Sequence, residues 1–240
     1  MADQPEYSYT LGSYLNNPVG VGAASGTMRK AVLDSIRAGY EKVRKGIKRR
    51  FFTVGSSFLV AISVPSSSVE DFWYDVVIEF LDAKENDELS TKNIRVFSNA
   101  PSFVFTYAFV FEERALLIPF LKKLIPKEVF KEAPKTRNPD ETINYEKTIV
   151  SAMFYILDND IMRPPNHRGD SAKLGKINAF EQFRSFESSL AIYNSRKRAI
   201  AIKKKAEKEK IRQVKLADAN KKKVERATAA KKTKKPIRKR

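Results

Sequence analysis

Residues 51–65, Phe51-Phe-Thr-Val-Gly-Ser-Ser-Phe-Leu-Val-Ala-Ile-Ser-Val-Pro65, are rich in β-branched and aromatic side chains and end at a proline. This composition predicts a β-strand over Phe51–Val64. Residues 69–82 fit both a helical stripe and strand alternation, and Ser67-Ser-Val-Glu70 has the form of a helix capping box. The Val-Val-Ile run inside this segment favours a strand from about Trp73. A further short strand is expected over residues 93–97.

Residues 103–111 have a regular alternating pattern, Phe-Val-Phe-Thr-Tyr-Ala-Phe-Val-Phe, with an aromatic residue at every odd position. The alternation predicts a central strand that is buried on both faces. Another interpretation starts from Tyr107-Ala-Phe-Val110, which matches the middle of the RNA-recognition octamer whose exposed aromatics stack on bases. Phe105, Thr106 and Glu112 replace the basic, glycine and final aromatic residues of that octamer. We therefore expect hydrophobic core here.

Helical periodicity flanks these strands. Apolar residues recur every three or four positions near the N-terminus, at Met28, Val32, Ile36, Tyr40, Val43 and Ile47. They predict a basic amphipathic helix over residues 28–50, which follows a flexible arm over residues 1–27. Residues 51–160 form the expected core and 161–195 a loop with a packing helix. The predicted class is α+β, a small mostly antiparallel sheet with flanking helices, and a long Lys/Arg-rich extension over 196–240 that is partly helical or disordered.

Basic residues are concentrated in two segments of the chain. The whole chain has 46 Lys plus Arg and 28 Asp plus Glu, a formal net charge of +18, and residues 196–240 alone hold 21 of the bases and four of the acids. Residues 28–50 hold nine bases and two acids, so the remainder is mildly acidic. A polycation of this density attracts polyanions, and each phosphate it neutralises releases counterions. We predict nucleic-acid binding that is sequence-independent and steeply salt-dependent.

The predicted contacts to nucleic acid lie in both basic segments. Those at the end of the predicted helix are Arg44, Lys45, Lys48, Arg49 and Arg50. Those in the extension are Arg196, Lys197, Arg198, Lys203, Lys204, Lys205, Lys221, Lys222, Lys223, Lys231, Lys232, Lys234, Lys235, Arg238, Lys239 and Arg240. An anionic membrane is the rival polyanion, but the extension has no aromatic residue to anchor it at an interface. We expect no membrane insertion, since no apolar run approaches the roughly 18 residues that a span needs.

The composition argues against most catalytic chemistry. Cysteine is absent, so most zinc and iron ligand sets and any Cys-His pair are missing. Ser-His catalysis would depend on His167, the only histidine, which is more typical of a solvated turn residue in its Pro/Asn/Gly loop. The carboxylate pairs Asp158 with Asp160 and Glu79 with Asp82 could hold a divalent metal for phosphodiester cleavage. Solvated acids and helix caps explain them as well. We therefore predict no enzyme activity, no catalytic residues, no cofactor and no metal site.

One stretch of the chain is similar to a known group of proteins. Ser98-Asn-Ala-Pro-Ser-Phe-Val-Phe-Thr-Tyr-Ala-Phe-Val-Phe111 is preceded by Tyr74-Asp-Val-Val-Ile-Glu79 and followed by Arg137-Asn-Pro and Ile143-Asn-Tyr-Glu-Lys147. With these strings, residues 57–158 resemble small virion-associated structural proteins of tailed bacteriophages. The resemblance implies a non-enzymatic structural role in the particle and supports a strand at residues 73–82. It carries no catalytic residue over and does not cover the basic extension.

The sequence thus predicts a non-enzymatic virion structural or accessory protein, located in the virion or in the host cytoplasm during assembly. Its basic tail is expected to bind nucleic acid, with DNA favoured over RNA. Its body is expected to dock to capsid, to other virion proteins or to a copy of itself. An RNA-binding or ribosome-associated factor is the first alternative, and a metal-dependent nuclease is the second.

Overall fold

A computed structural model of the chain describes residues 8–16, 26–84, 86–135, 138, 143–164, 171–173 and 179–233. The α-helices in this part of the chain are α1 (Leu11–Asn16), α2 (Gly26–Val43), α3 (Pro101–Thr106), α4 (Ala108–Glu113), α5 (Lys147–Asp158), α6 (Ala179–Gln182) and α7 (Phe186–Thr233). The strands are β1 (Lys48–Val54), β2 (Ser57–Pro65), β3 (Trp73–Phe80), β4 (Ile94–Ser98) and β5 (Ser171–Lys173). Short 3-10 helices cover Arg44–Gly46, Leu89–Thr91, Pro119–Leu124 and Lys127–Phe130.

The centre of the body is an antiparallel sheet in the order β4-β3-β2-β1, and β5 adds a short parallel pairing to β1. The predicted α+β class, with a small mostly antiparallel sheet and flanking helices, is confirmed. The strand predicted from Trp73 is confirmed as β3, and its residues are buried from Asp75 to Phe80. Helix α5 packs on the sheet, where Thr148 hydrogen-bonds Ser98 of β4 at 3.0 Å.

The segment predicted as one strand over residues 51–64 is a hairpin of two strands. Val54 pairs with Ser57 across a turn at Gly55 and Ser56. Gly55 has a φ of +57°, a left-handed conformation that glycine adopts without the strain a Cβ would cause. The chain reverses there, so β2 pairs with β1 as a neighbouring antiparallel strand instead of continuing β1 in the same direction.

The prediction of a central strand at residues 103–111 is wrong, because these residues belong to α3, to Tyr107 and to α4. Pro101 occupies the first turn of α3, where its fixed φ suits a helix. Burial does not follow the aromatic side chains, since Phe103 and Phe111 are buried while Phe105 is 50% exposed. A base-stacking strand through Tyr107-Ala-Phe-Val110 is thereby excluded as well.

The flexible arm predicted over residues 1–27 is wrong for the residues that the structure describes there. Helix α1 buries Leu11, Tyr14 and Leu15. The Tyr14 hydroxyl donates a 2.8 Å hydrogen bond to the Asn144 carbonyl, and the Tyr145 hydroxyl donates one of 2.6 Å to the Leu15 carbonyl. Two buried tyrosines therefore fix this helix to the segment before α5. Residues 1–7 and 17–25 lie outside the described part of the chain.

The basic helix predicted over residues 28–50 ends at Val43. A 3-10 turn follows at Arg44–Gly46, and Lys48 begins β1 opposite Ser63. The Trp73 indole donates a 3.0 Å hydrogen bond to the Gly46 carbonyl and holds this turn against β3. Pairing with β2 thus overrides the helical spacing that continued to Ile47, since tertiary context commonly outweighs local propensity.

The chain divides into two compact units, Met1–Tyr193 and Asn194–Arg240. The first unit contains the sheet and the hydrophobic core. The second consists, as far as the structure describes it, of the rest of α7. The start of α7 belongs to the first unit, where Ser185 caps it through a 3.2 Å bond from the Ser188 amide.

The residues just before α7 are fixed to the sheet by a polar cluster around Asp75 on β3. The Asp75 carboxylate accepts hydrogen bonds from Ser63 of β2 at 3.1 Å and from the backbone and side chain of Arg184, both at 3.3 Å. Arg184 also donates to the Trp73 carbonyl at 2.6 Å. Asn99 accepts from the Asp75 amide at 2.9 Å and donates to the Arg184 carbonyl at 3.2 Å. Every member is therefore satisfied by another member or by the backbone.

Aromatic packing reinforces this attachment on either side of Arg184. The Phe183 ring meets the Phe52 ring of β1 edge to face, with centroids 5.5 Å apart. The Phe186 ring meets Phe105 of α3 in the same way at 5.1 Å. Both Phe183 and Phe186 are buried, so the entry to α7 is part of the core of the first unit.

Arg184→Ala is expected to lower the free energy of unfolding of the protein by about 2 kcal/mol. The substitution leaves the buried Asp75 carboxylate without its cation, and the cost is moderated because Arg184 is itself one-third exposed. Urea denaturation followed by circular dichroism measures the change. Arg44→Ala, which removes a solvent-exposed pair with Glu41, serves as the control and is expected to have little effect. Equal effects in the two variants would contradict the role given to Asp75.

The Glu79 carboxyl on β3 is buried at 5% exposure, and its Oε2 atom has no hydrogen-bond partner. Burial raises the pKa of Glu79 above its ordinary value of 4.5, although Arg95 and Ser57 lower the pKa in part. A raised pKa means that the folded state favours the neutral acid. The stability that this proton contributes is present below pH 4.5 and is lost as the pH rises through the raised pKa.

Glu79→Gln is therefore expected to remove a pH-dependent loss of stability. The variant should gain free energy of unfolding relative to the parent as the pH rises from about 4 to about 8, because glutamine stays neutral. Urea midpoints at a series of pH values measure the difference. Glu128→Gln, at an exposed position, is the matched control for the loss of one carboxylate. A difference for Glu79→Gln that does not change with pH would show that burial does not control its titration.

Candidate nucleic-acid interface

The C-terminal basic segment is one continuous α-helix through Thr233. Its residues are mostly Lys, Ala, Glu and Arg, which favour helix, and neither glycine nor proline occurs between Phe186 and Thr233. Every side chain described between residues 201 and 222 is exposed to solvent. The helix therefore presents its bases on a regular scaffold with a rise of about 1.5 Å per residue.

The structure places the predicted C-terminal contacts in three groups. Those with exposed side chains on α7 are Lys197, Arg198, Lys203, Lys204, Lys205 and Lys222, and Arg196 is partly exposed. Those that occupy helical positions of α7 are Lys221, Lys223, Lys231 and Lys232. Those that lie outside the described residues are Lys234, Lys235, Arg238, Lys239 and Arg240.

The prediction from sequence missed four exposed bases on the same helix. They are Lys208, Lys210, Arg212 and Lys215. Each of them stands between neutral or acidic neighbours, so none belongs to a run of adjacent bases. Helical periodicity would have found them, since residues three, four and seven apart share a face. One of them, Arg212, makes a loose pair with Glu209 at 3.9 Å.

The five basic residues predicted at the end of the first helix lie on a turn and a strand instead. Arg44 pairs with Glu41 at 3.1 Å. The Lys48 ammonium lies 4.9 Å from the centre of the Trp73 ring, and Arg49 lies 5.6 Å from that of Phe51. Such contacts orient a cation over an aromatic face while leaving it able to meet an anion.

Strand alternation separates these bases into two groups. Successive side chains of β1 point to opposite faces of the sheet, so Lys48 and Arg50 share one face and Arg49 lies on the other. The Arg50 guanidinium lies over Phe52 and Phe183, at 5.6 and 5.5 Å. The sequence predicted a single basic helix end here, and the strand divides that surface.

Three of the four carboxylates considered for metal binding are engaged within the chain or buried, and the fourth, Asp160, is exposed. Asp158 accepts a 2.7 Å hydrogen bond from Arg37, and Asp82 accepts one of 2.6 Å from Ser56. Glu79 lies in the sheet opposite Arg95. Within the described part of the chain, no group of three or more His, Cys, Asp or Glu side chains is placed to hold a metal ion.

The body also contains a groove of about 410 Å³ between α2, the loop after β2, the start of α5 and the start of α7. Glu146 lines the groove and caps α5, where one carboxylate oxygen accepts hydrogen bonds from the amides of Thr148 and Ile149 at 2.8 and 2.9 Å. The other oxygen accepts from Ser102 at 2.5 Å. Lys147 approaches Ser67 at 3.4 Å. Because the carboxylate is committed to the cap, the groove offers one cation and several hydroxyls.

No described helix is both long and apolar enough to cross a membrane. The chain matches no protein-family model, no curated protein and no solved structure.

The fluorescence of the single tryptophan, Trp73, can report whether DNA contacts the bases of β1. We expect duplex DNA to change the fluorescence of Trp73 at low salt, because an anion that engages Lys48 alters the field at the indole ring. Lys48→Gln should abolish this change while leaving most of the affinity that we expect from the bases of α7. Unchanged Trp73 emission at saturating DNA would show that the β1 surface takes no part in binding.

Proposed function

We propose that the protein is a non-enzymatic structural or accessory protein of a bacteriophage particle that binds DNA through the bases of α7. The observation that supports the binding function is the exposure of the basic side chains in the second unit. This unit is a helix whose described side chains between residues 201 and 222 are all exposed, within a segment that holds 21 bases and four acids. A segment of this kind has no core of its own to stabilise, so its charges are available to a partner.

Electrostatics favours nucleic acid as that partner. Exposed lysines and arginines at this density neutralise phosphates and release condensed counterions, and this release supplies most of the free energy of sequence-independent binding. The segment from Arg196 to Arg240 contains no aromatic residue, so neither base stacking nor anchoring at a membrane interface contributes. The expected binding therefore depends on charge and has little sequence preference.

The role in a particle is supported by the resemblance of residues 57–158 to small virion-associated proteins of tailed bacteriophages. In that setting the body docks to capsid, to another virion protein or to a second copy, while α7 contacts the packaged DNA. The neighbouring genes test this part of the proposal. Head or tail genes beside the coding sequence are expected, and a neighbourhood of ribosomal or RNA-processing genes would contradict it.

Truncation after Tyr193 is expected to abolish binding to duplex DNA at about 100 mM salt. The removed residues carry the charge that neutralises phosphate, and the body retains its core and the Asp75 cluster. Fluorescence anisotropy with a labelled duplex measures the affinity, and circular dichroism checks that the body remains folded. Affinity equal to that of the full chain would overturn the assignment of binding to α7.

The salt dependence provides a second measurement on the full chain. The logarithm of the association constant should fall linearly with the logarithm of salt concentration, with a slope of about −0.9 for each phosphate neutralised. A slope near zero would indicate that the interaction is not electrostatic. Incubation of plasmid with Mg²⁺ or Mn²⁺ completes the test, since cleavage would favour the nuclease alternative.

A further inference from the structure

The bases of α7 are unevenly distributed around the helix. With 3.6 residues per turn, seven of the exposed bases between residues 198 and 222 fall within an arc of about 120°. They are Arg198, Lys204, Lys205, Lys208, Arg212, Lys215 and Lys222. The acidic side chains described in this stretch, Glu207 and Glu209, occupy positions outside the arc. We call these seven residues the basic face.

The basic face consists of two rows along the helix. One row contains Lys204, Lys208, Lys215 and Lys222, and the other contains Arg198, Lys205 and Arg212. Most neighbours within a row are seven residues apart, which corresponds to about 10 Å. Together the rows extend over about 36 Å, close to one turn of B-form DNA at about 34 Å. The two rows lie roughly a quarter-turn apart around the helix.

We propose that α7 binds double-stranded DNA through this basic face, with the helix lying along a groove and each row meeting the phosphates of one strand. This inference rests on the proposed function and adds the orientation of the helix and the form of the nucleic acid. The major groove of B-form DNA is about 12 Å wide and admits an α-helix. The major groove of A-form RNA is deep and narrow and does not.

Two pairs of lysines in the full chain provide a matched test. Lys208 and Lys215 lie on the basic face seven residues apart, and Lys203 and Lys210 lie outside it, also seven residues apart. The double variants Lys208→Gln/Lys215→Gln and Lys203→Gln/Lys210→Gln remove the same charge from the same helix. Glutamine and lysine have similar helix propensity, so circular dichroism should show equal helix content in both.

The basic-face variant is expected to lose at least about tenfold in affinity for a 20-base-pair DNA duplex at about 100 mM salt. Its salt slope should fall in magnitude by about 1.8, the value for two phosphate contacts. The off-face variant should keep most of the affinity and the slope. Lys208→Arg/Lys215→Arg should bind as the parent does, because arginine preserves both phosphate contacts.

Equal losses in the two glutamine variants would overturn the inference, because they would show that α7 binds as an undirected polycation. DNA binding by the parent would in that case still support the proposed function. A duplex RNA of the same sequence forms the second arm. The same loss on RNA as on DNA would overturn the assignment to B-form DNA. Failure of the parent chain to bind either duplex would remove the proposed function itself.

Discussion

The carboxylate of Asp75 lies where the sheet, the loop after β4 and the entry to α7 meet. It is buried, and it accepts hydrogen bonds from Ser63 on β2 and from Arg184 just before α7. A buried carboxylate is costly unless it is paired and hydrogen-bonded, so the contact between the sheet and the entry to α7 stabilises both. Asn99 closes the cluster by bonding both partners. This constraint gives α7 a defined starting point on the body.

The two units are stabilised in different ways. The first unit buries an extensive set of aromatic and aliphatic side chains around its sheet. The second unit has exposed side chains and depends on helix propensity, against the mutual repulsion of its bases. Phosphates placed along the helix would relieve that repulsion. The proposed binding of a polyanion would in this way also stabilise the helix.

The local sequence pattern predicted an element correctly where the pattern fitted only one kind of secondary structure. The Val-Val-Ile run of β3 has strong strand propensity, and the structure confirms that strand. The aromatic alternation at residues 103–111 satisfied strand and helix periodicity together, since Phe103, Tyr107 and Phe111 are also one helical turn apart. Only packing distinguished the two, because Phe103 and Phe111 meet edge to face at 5.5 Å within the core of the body. Local pattern also failed for Lys48, Arg49 and Arg50, which were predicted on a helix. They lie on a strand because they pair with β2.

The sequence by itself determined the division of charge, because residue counts place 21 bases after residue 195 whatever the fold. It also determined the α+β class, through composition and propensity. The tertiary structure decided which face each base occupies and where α7 begins. Side-chain direction depends on the periodicity of the element that carries it, two residues in a strand and 3.6 in a helix. In the first unit, distant contacts such as the pairing of β1 with β2 fixed that periodicity, and the contact of Arg184 with Asp75 fixed where α7 begins.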